Sequence, residues 1–338
     1  MRIYVIGAGA MGSLYGGLLA RAGCVLTLVD WWRAHMEAVA ENGGLQLSGI
    51  TGDAVIPLKA VHAPGDGEAL EGENSADIAI ILIDANGTPE AARLAKRLLK
   101  PDGFALTLQN GIGNIEALEA ELGAGRVVGG LSYHSAAMVA PGHAVHTHRG
   151  PTWLGELGGA KSARLDELAE MLKGAGFEPA IVGNIMAQIW TKFIHNCAIN
   201  PISAVTGLRV GEISRVAEAD LLQTRIIEEA LAVVAAKGIA LVDDDPMASI
   251  KKFCLAKFNK PSMQQHMEQG RRTEIDALNG ALVREGAALG VPTPYNQAVT
   301  WMVTARQSER MQSLHGAPID YEALEAEIKR GMAADPDS

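Results

Sequence analysis

The chain has few aromatic residues, and its acidic residues outnumber its basic ones. Aromatic residues are 4% of the 338 residues, so the core must be built mainly from aliphatic and small side chains. The formal net charge is −10, and Lys and Arg are scattered along the chain. Because nucleic acids and anionic membranes attract basic surfaces, neither is expected as a partner.

Cysteines and long apolar runs are also scarce. Cys24, Cys197 and Cys254 follow neither metal-ligand nor disulfide spacing, which predicts a reducing, cytoplasmic location. Hydrophobic residues amount to 48%, but no run reaches the length of a membrane span, and the chain starts with a strand pattern in place of a cleavable leader. His143, His146 and His148 lack the spacing of a metal site, so we expect no metal and predict that they face solvent.

The first half of the chain alternates short apolar runs with helical patterns. Five strands are predicted, at Ile3–Ile6, Val25–Val29, Ile78–Ile83, Ala105–Leu108 and Arg126–Leu131. Four helices are predicted between them, at Ser13–Ala22, Trp32–Asn42, Glu90–Leu99 and Ile115–Leu122. This rhythm predicts an α/β fold with a parallel, doubly wound sheet. A strand pair at His143–Thr147 and Pro151–Leu154 should extend the sheet, and a helix at Ala163–Ala175 and a strand at Pro179–Val182 should close the domain.

After Asn184 only helical patterns remain. They cover Ile185–Ile199, Pro201–Leu208, Val210–Ile213, Arg215–Lys237, Asp245–Asn259, Ser262–Glu268, Thr273–Leu289, Tyr295–Gln312 and Ile319–Met332. We therefore predict a dinucleotide-binding domain over residues 1–183, an all-helical domain over 184–332 and a tail over 333–338. The helical domain could also build a homodimer, although its apolar faces fit intramolecular docking equally well.

A glycine-rich turn joins the first strand to the first helix. The run Gly7-Ala8-Gly9-Ala10-Met11-Gly12 has the G-x-G-x-x-G spacing in the strand–turn–helix context that binds a pyrophosphate. Free N–H groups and the helix dipole would then face the anion. The alternative is a purely structural glycine turn.

The end of the second strand bears on which dinucleotide is bound. Asp30 lies near the spacing of about 20 residues at which an acid meets the ribose hydroxyls of NAD, and it would repel the extra phosphate of NADP. Arg33 lies close by and could instead favour NADP. A helix-capping role is the other alternative for Asp30. We favour NAD(H).

Lys192, Asn196 and Asn200 are spaced four residues apart, so they share one face of a largely apolar helix. Such a lysine either snorkels to solvent or lines a ligand cleft beside two amides. Asn110 follows a strand of the parallel sheet, where ligands bind, although Asn-Gly is also a common turn. Glu274 could be an ordinary acid in the first turn of a helix that begins at Thr273.

Taken together, these motifs resemble the ketopantoate reductase (2-dehydropantoate 2-reductase) family from Met1 to about residue 310. The resemblance is carried by Gly7-x-Gly9-x-x-Gly12, Gln109-Asn110-Gly111-x-Gly113, Trp190-x-Lys192-x-x-x-Asn196-Cys197-x-x-Asn200-Pro201, and Ser262-Met263 with Arg272-Thr273-Glu274-Ile275-Asp276. It implies a Rossmann-like N-terminal domain and a helical C-terminal domain, with the active site in the cleft between them.

The resemblance also implies residue roles. Lys192 would be the general acid that protonates the developing alkoxide, and Glu274 would orient it and touch the cofactor. Asn110 would contact nicotinamide and substrate, and the backbone near Ala136 would lie along the cofactor. The substrate's carboxylate and hydroxyl would be held by Asn196, Asn200 and Ser262.

Some positions depart from the family pattern and keep three functions open. Asp30 and Asp84 stand where NADPH-using members often carry basic residues, and Val210 and His266 replace residues linked to substrate choice. The main hypothesis is NAD(P)H-dependent reduction of a 2-oxo acid to the (R)-2-hydroxy acid, with 2-dehydropantoate as the leading substrate for pantothenate synthesis. NADP(H) stays open because the family uses it. The alternatives are an NAD-dependent D-2-hydroxy acid dehydrogenase acting on a branched or aromatic acid and, more remotely, a non-catalytic NAD-binding regulator.

Overall fold

The computed structural model describes residues 1–65, 68 and 71–334, with side chains up to residue 330. Within this range the N-terminal part holds the following strands: β1 (Arg2–Ile6), β2 (Val25–Asp30), β3 (Leu45–Gly49), β4 (Ala54–Ile56), β5 (Lys59–His62), β6 (Ala76–Ile81), β7 (Leu99–Thr107), β8 (Val127–Ser132), β9 (Ser135–Ala140), β10 (His143–His148), β11 (Thr152–Glu156) and β12 (Pro179–Ile181). The helices among them are α1 (Ala10–Arg21), α2 (Arg33–Glu41), α3 (Thr88–Leu98), α4 (Asn114–Leu122) and α5 (Ala163–Gly174).

The strands form two sheets. The larger has the order β12-β11-β8-β7-β6-β1-β2-β5 and is parallel except where β11 runs against β8. The smaller has the order β4-β3-β10-β9. One core lies between the large sheet and α1, α5 and the small sheet, and another lies under α3 and α4. The predicted α/β, doubly wound fold is confirmed, but β3, β4, β5 and β9 were not predicted.

The predicted strands at His143–Thr147 and Pro151–Leu154 both form, but only the second lies in the large sheet, so the prediction is wrong for the first. Pro141 and Gly142, the latter with φ +78°, turn the chain so that β10 pairs with β9 in the small sheet. This leaves β11 to pair with β8 in the large sheet. The reason is local, because a Pro-Gly turn makes a tight hairpin of the two segments it joins.

The C-terminal part is helical throughout the residues described. Its helices are α6 (Ile185–Thr206), α7 (Val210–Ile213), α8 (Ala217–Lys237), α9 (Pro246–Ala256), α10 (Ser262–Glu268), α11 (Asn279–Leu289), α12 (Pro294–His315) and α13 (Tyr321–Ala334). The domain boundary at residue 183 stays a prediction, and it falls between the end of β12 and the start of α6. The predicted tail begins at residue 333, but α13 continues to Ala334 and residues 335–338 lie outside the described range.

Two helix boundaries differ from expectation for physical reasons. Helix α6 continues through Pro201, where a break was predicted. Proline has no N–H for the carbonyl of Cys197 one turn back, and the side-chain amide of Asn279 donates to that oxygen at 3.0 Å instead. The predicted helix from Thr273 begins only at Asn279, after a short 3-10 turn at Ile275–Ala277.

Candidate active site

The glycine turn is shaped to receive a ligand at its middle glycine. Gly7 has φ +93°, and a Cβ there would lie 2.3 Å from the backbone nitrogen of Ile83. A Cβ on Gly12 would lie 1.8 Å from the carbonyl oxygen of Gly7. A Cβ on Gly9, in contrast, would have no atom within 4 Å. Gly7 and Gly12 therefore serve the fold, whereas Gly9 faces open space at the start of α1.

The start of α1 provides the groups that a phosphate needs. Gly9 precedes the helix, and no side chain caps this end. The first N–H groups of a helix have no partner within the helix, and its dipole is positive there. Ala10 and Met11 are only half-buried, so a ligand can reach the start of α1. The backbone of Gly9, Ala10 and Met11, which we call the phosphate cradle, therefore fits the pyrophosphate of a dinucleotide.

Asp30, the last residue of β2, lies beside the glycine turn. Its carboxylate accepts hydrogen bonds from the backbone N–H of Ala8, in the glycine turn, and from that of Trp32 at 2.7 Å. The second contact belongs to a turn and is not the helix cap that the sequence left open, because the N-cap residue of α2 is Trp32 and no side chain caps that end. The first places the carboxylate beside the phosphate cradle, where an NAD ribose would be expected.

Lys192 points away from solvent toward the large sheet. Its Nζ donates to the carbonyl oxygen of Ser132, at the end of β8, over 2.8 Å. The same nitrogen lies 5.0 Å from the centroid of the Tyr133 ring. Burial lowers the pKa of Lys192 to about 8, and the negative charge of Glu274 partly opposes this shift. The snorkelling alternative for this lysine is wrong, since its ammonium group is turned inward.

Glu274 connects the helical part to two loops of the large sheet. Its Oε1 accepts from the backbone N–H of Ala85, which follows β6, at 2.9 Å. Burial raises the pKa of Glu274 to about 7, and the negative charge of Asp84 adds to the rise. Hydrogen bonds from Ala85 and the Asn110 side chain, and the charge of Lys192, act in the opposite direction.

Glu274 is thus not an ordinary acid in the first turn of a helix. The carbonyl of Ala277, three residues later, accepts from the N–H of Ile112 at 3.3 Å. The Ala277 carbonyl thus bonds to the loop after β7, and the regular helix begins only at Asn279. The structure therefore brings Lys192, Glu274 and Asn110 together, although they are far apart in the sequence.

The remaining predicted residues surround this group less closely. Asn196 is half-buried and Asn200 is buried on α6, one and two turns beyond Lys192. Ser262 is exposed at the start of α10, which packs against α6. Ala136 is half-buried in β9. The roles of these four residues stay predictions.

Sequence reasoning missed three residues at this site. Ser132 and Tyr133 hold the ammonium of Lys192, and Arg271 pairs with Asp84 at 3.4 Å between the two halves of the chain. The position of Ser132 at the carboxyl end of a predicted strand could have flagged the first two, because ligands bind at that edge of a parallel sheet. No pattern in the local sequence indicates that Arg271 lies at this site.

The predicted solvent exposure of the histidines is wrong for His146. His146 is 1% exposed, and its Nε2 lies 3.1 Å from Nδ1 of His134, which is also buried. The inner face of β10 packs on α1, and strand alternation turns Ala144 and His146 inward. His143 is half-buried against Ser48, and His148 is exposed.

Known proteins match this chain over nearly its whole length. A family model described as "Ketopantoate reductase PanE/ApbA" matches residues 3–159, and its C-terminal counterpart matches residues 184–307. A 2-dehydropantoate 2-reductase from Pyrococcus horikoshii is 33% identical over 309 residues, which are 91% of this chain and 98% of that protein.

This chain belongs to the ketopantoate reductase family. A family member of known structure, from Ralstonia eutropha JMP134, superposes with a TM-score of 0.82 at 30% identity, covering 92% of this chain and 99% of the other. A ternary structure of D-mandelate dehydrogenase with NADH and anilino(oxo)acetate has the same TM-score and coverage at 27% identity. As a member of this family, the chain is an oxidoreductase of the class acting on CH–OH groups, with a nicotinamide cofactor and a small-molecule substrate. Among the residues described, no helix is both long and apolar enough to cross a bilayer.

Proposed function

We propose that this protein reduces 2-dehydropantoate to (R)-pantoate, with Lys192 as the general acid. The observation that carries the proposal is the ammonium of Lys192, which the Ser132 carbonyl holds at 2.8 Å and whose pKa burial lowers to about 8. General acids work best when their pKa lies near the working pH. An unperturbed lysine, with a pKa of 10.5, would be a much weaker acid.

The other residues of the site orient the reactants. Glu274, as a carboxylate, attracts the ammonium and keeps it on the cleft side of α6. Asn110 donates a side-chain hydrogen bond to Glu274 and would also meet nicotinamide and substrate. The hydroxyl and carboxylate of the substrate would be bound by Asn196, Asn200 and Ser262. The Lys192 ammonium would stabilise negative charge on the ketone oxygen and then give it a proton.

The cofactor would lie between the glycine turn and this group. When bound, the nicotinamide supplies the hydride for the keto carbon. The pyrophosphate would sit at Gly9, Ala10 and Met11, with Ala8 and Gly12 shaping the turn, and the backbone of Ala136 would lie along the cofactor. Asp30 favours NADH, because a carboxylate beside the adenosine ribose repels the phosphate of NADPH.

Replacing Lys192 tests the proposal directly. Lys192→Ala should lower kcat for 2-dehydropantoate by roughly 10²–10⁴, which is the usual contribution of a positioned acid. Lys252→Ala, at an exposed lysine on α9, is the matched control and should leave kcat unchanged. A Lys192→Ala enzyme of normal kcat would refute the assignment.

A panel of 2-oxo acids, each assayed with NADH and with NADPH, tests the substrate. The likeness to D-mandelate dehydrogenase makes a D-2-hydroxy acid dehydrogenase the second candidate. A higher kcat/KM for an aromatic or branched acid than for 2-dehydropantoate would favour that candidate. Tight NADH binding without reduction of any acid would indicate a regulator instead.

A further inference from the structure

Tyr133 offers the face of its ring to the ammonium of Lys192. The Nζ atom lies 5.0 Å from the ring centroid, within the range of about 6 Å over which an aromatic face attracts a cation. The carbonyl of the preceding residue, Ser132, accepts a hydrogen bond from the same nitrogen. Two consecutive residues, the last residue of β8 and the one after it, therefore hold this ammonium.

The ring of Tyr133 is itself held in place. Its backbone N–H donates to the carbonyl of Pro151 at 3.0 Å, and its ring packs against that of Trp153 in an edge-to-face arrangement with centroids 5.0 Å apart. Gly150 lies so close behind that a Cβ there would come within 2.5 Å of the Tyr133 carbonyl oxygen. These contacts fix the backbone and one side of the ring, so the ring presents a positioned surface to the lysine.

We propose that Tyr133 is a positioning residue for the reduction, whose ring keeps the Lys192 side chain protonated and aimed into the cleft. The proposal rests on the proposed function, since it takes Lys192 as the acid. An aromatic face attracts an ammonium ion but not a neutral amine, so the ring favours the acid form. The same ring also excludes water, which favours the neutral form. A side chain of similar bulk without a ring separates these two effects.

The charged groups around Lys192 set the background for this test. Glu274 acts on Lys192 directly and favours its protonated form. Asp84 acts on Glu274 from the loop after β6, and Arg271 pairs with Asp84. His266 lies in the field of Arg271 and Asp84. Substitutions at Tyr133 leave these groups unchanged, so a shift in the pH profile reports the ring itself.

The test compares Tyr133→Leu with Tyr133→Phe in the pH dependence of kcat/KM. The alkaline limb reports loss of the proton from the acid. Tyr133→Leu keeps the site shielded but removes the aromatic face, so the alkaline limb should move to lower pH by roughly half a unit. Tyr133→Phe keeps the face, and its alkaline limb should coincide with that of the wild type.

Other outcomes would overturn the proposal. An unmoved limb in Tyr133→Leu would show that the ring contributes no attraction, and an equal shift in Tyr133→Phe would assign the effect to the hydroxyl. If Tyr133→Leu does not fold, Tyr133→Met, which also lacks a ring, replaces it. An unmoved alkaline limb in Tyr133→Met would likewise contradict the proposal. Failure of this inference differs from failure of the proposed function, because Lys192→Ala would then still lose activity.

Discussion

Asp84 should control the acidic limb of the pH profile through Glu274. Its negative charge is the second largest cause, after burial, of the raised pKa of Glu274. Asp84→Asn removes this charge and also releases Arg271, whose positive charge is no longer matched. Both changes favour the ionised form of Glu274, so its pKa should fall. Asp84 makes no side-chain cap for the 3-10 turn that follows it, so the amide should preserve the fold.

The size of the effect follows from Coulomb's law. A nearby charge shifts a pKa over separations of up to about 6 Å. At that separation two unit charges interact by about 0.7 kcal/mol in bulk water and by about 2.8 kcal/mol at an effective dielectric of 20. The side chain of Asp84 is 46% exposed, so screening by solvent favours the lower figure. This corresponds to a shift of roughly half a pH unit.

The assay is the pH dependence of kcat/KM at constant ionic strength. Glu274 must be ionised to attract Lys192, so activity should fall as the pH drops through about 7. Lowering this pKa by roughly half a unit should raise kcat/KM at pH 6 by roughly two- to threefold. Asp276→Asn is a matched control, because Asp276 also pairs with an arginine, Arg272, at 3.4 Å. An acidic limb that does not move in Asp84→Asn, or that moves equally in Asp276→Asn, would refute the reasoning.

Further predictions concern the glycine turn and Asp30. Gly9→Val should keep the unfolding temperature and weaken NADH binding by about tenfold or more, because its side chain enters the phosphate cradle. Gly12→Ala should destabilise the fold by about 1–3 kcal/mol, because its Cβ meets the Gly7 carbonyl, and calorimetry with NADH titration distinguishes the two variants. Asp30→Asn loses the charge and keeps only one of the two carboxylate oxygens that accept from the Ala8 and Trp32 N–H groups, so the preference for NADH over NADPH should fall by roughly tenfold. An unchanged ratio of the two kcat/KM values would exclude Asp30 as the selecting residue.

Features that depend on neighbouring residues could be predicted from the sequence. The glycine turn and the shared face of Lys192 and Asn196 each lie within one strand–turn–helix unit or one helix. Their geometry follows from local backbone periodicity, and the structure reproduces it. The doubly wound sheet was predictable for the same reason, because alternating strands and helices leave few topologies.

Features that depend on distant contacts could not be predicted. The small sheet pairs β3 with β10, nearly a hundred residues later, and β3 alone is too short and mixed to stand out. Helix α6 continues through Pro201 because the side-chain amide of Asn279 donates to the Cys197 carbonyl in place of the missing N–H. Glu274 matches a first-turn acid in its local sequence, and only its bond to Ala85, 189 residues away, shows its place at the cleft.

One physical cause accounts for both of the unusual ionisations at this site. Burial between the sheet edge and the helices disfavours charge, so it lowers the pKa of Lys192 from 10.5 to about 8 and raises that of Glu274 from 4.5 to about 7. In solvent both groups would be charged over a wide pH range, but here burial moves the two pKa values toward each other and narrows the range in which both groups are charged. Proton donation and orientation both need that doubly charged state. A bell-shaped pH profile, narrower than that of the two free groups, is therefore the expected sign that this pair works as a unit, and a broad plateau would contradict it.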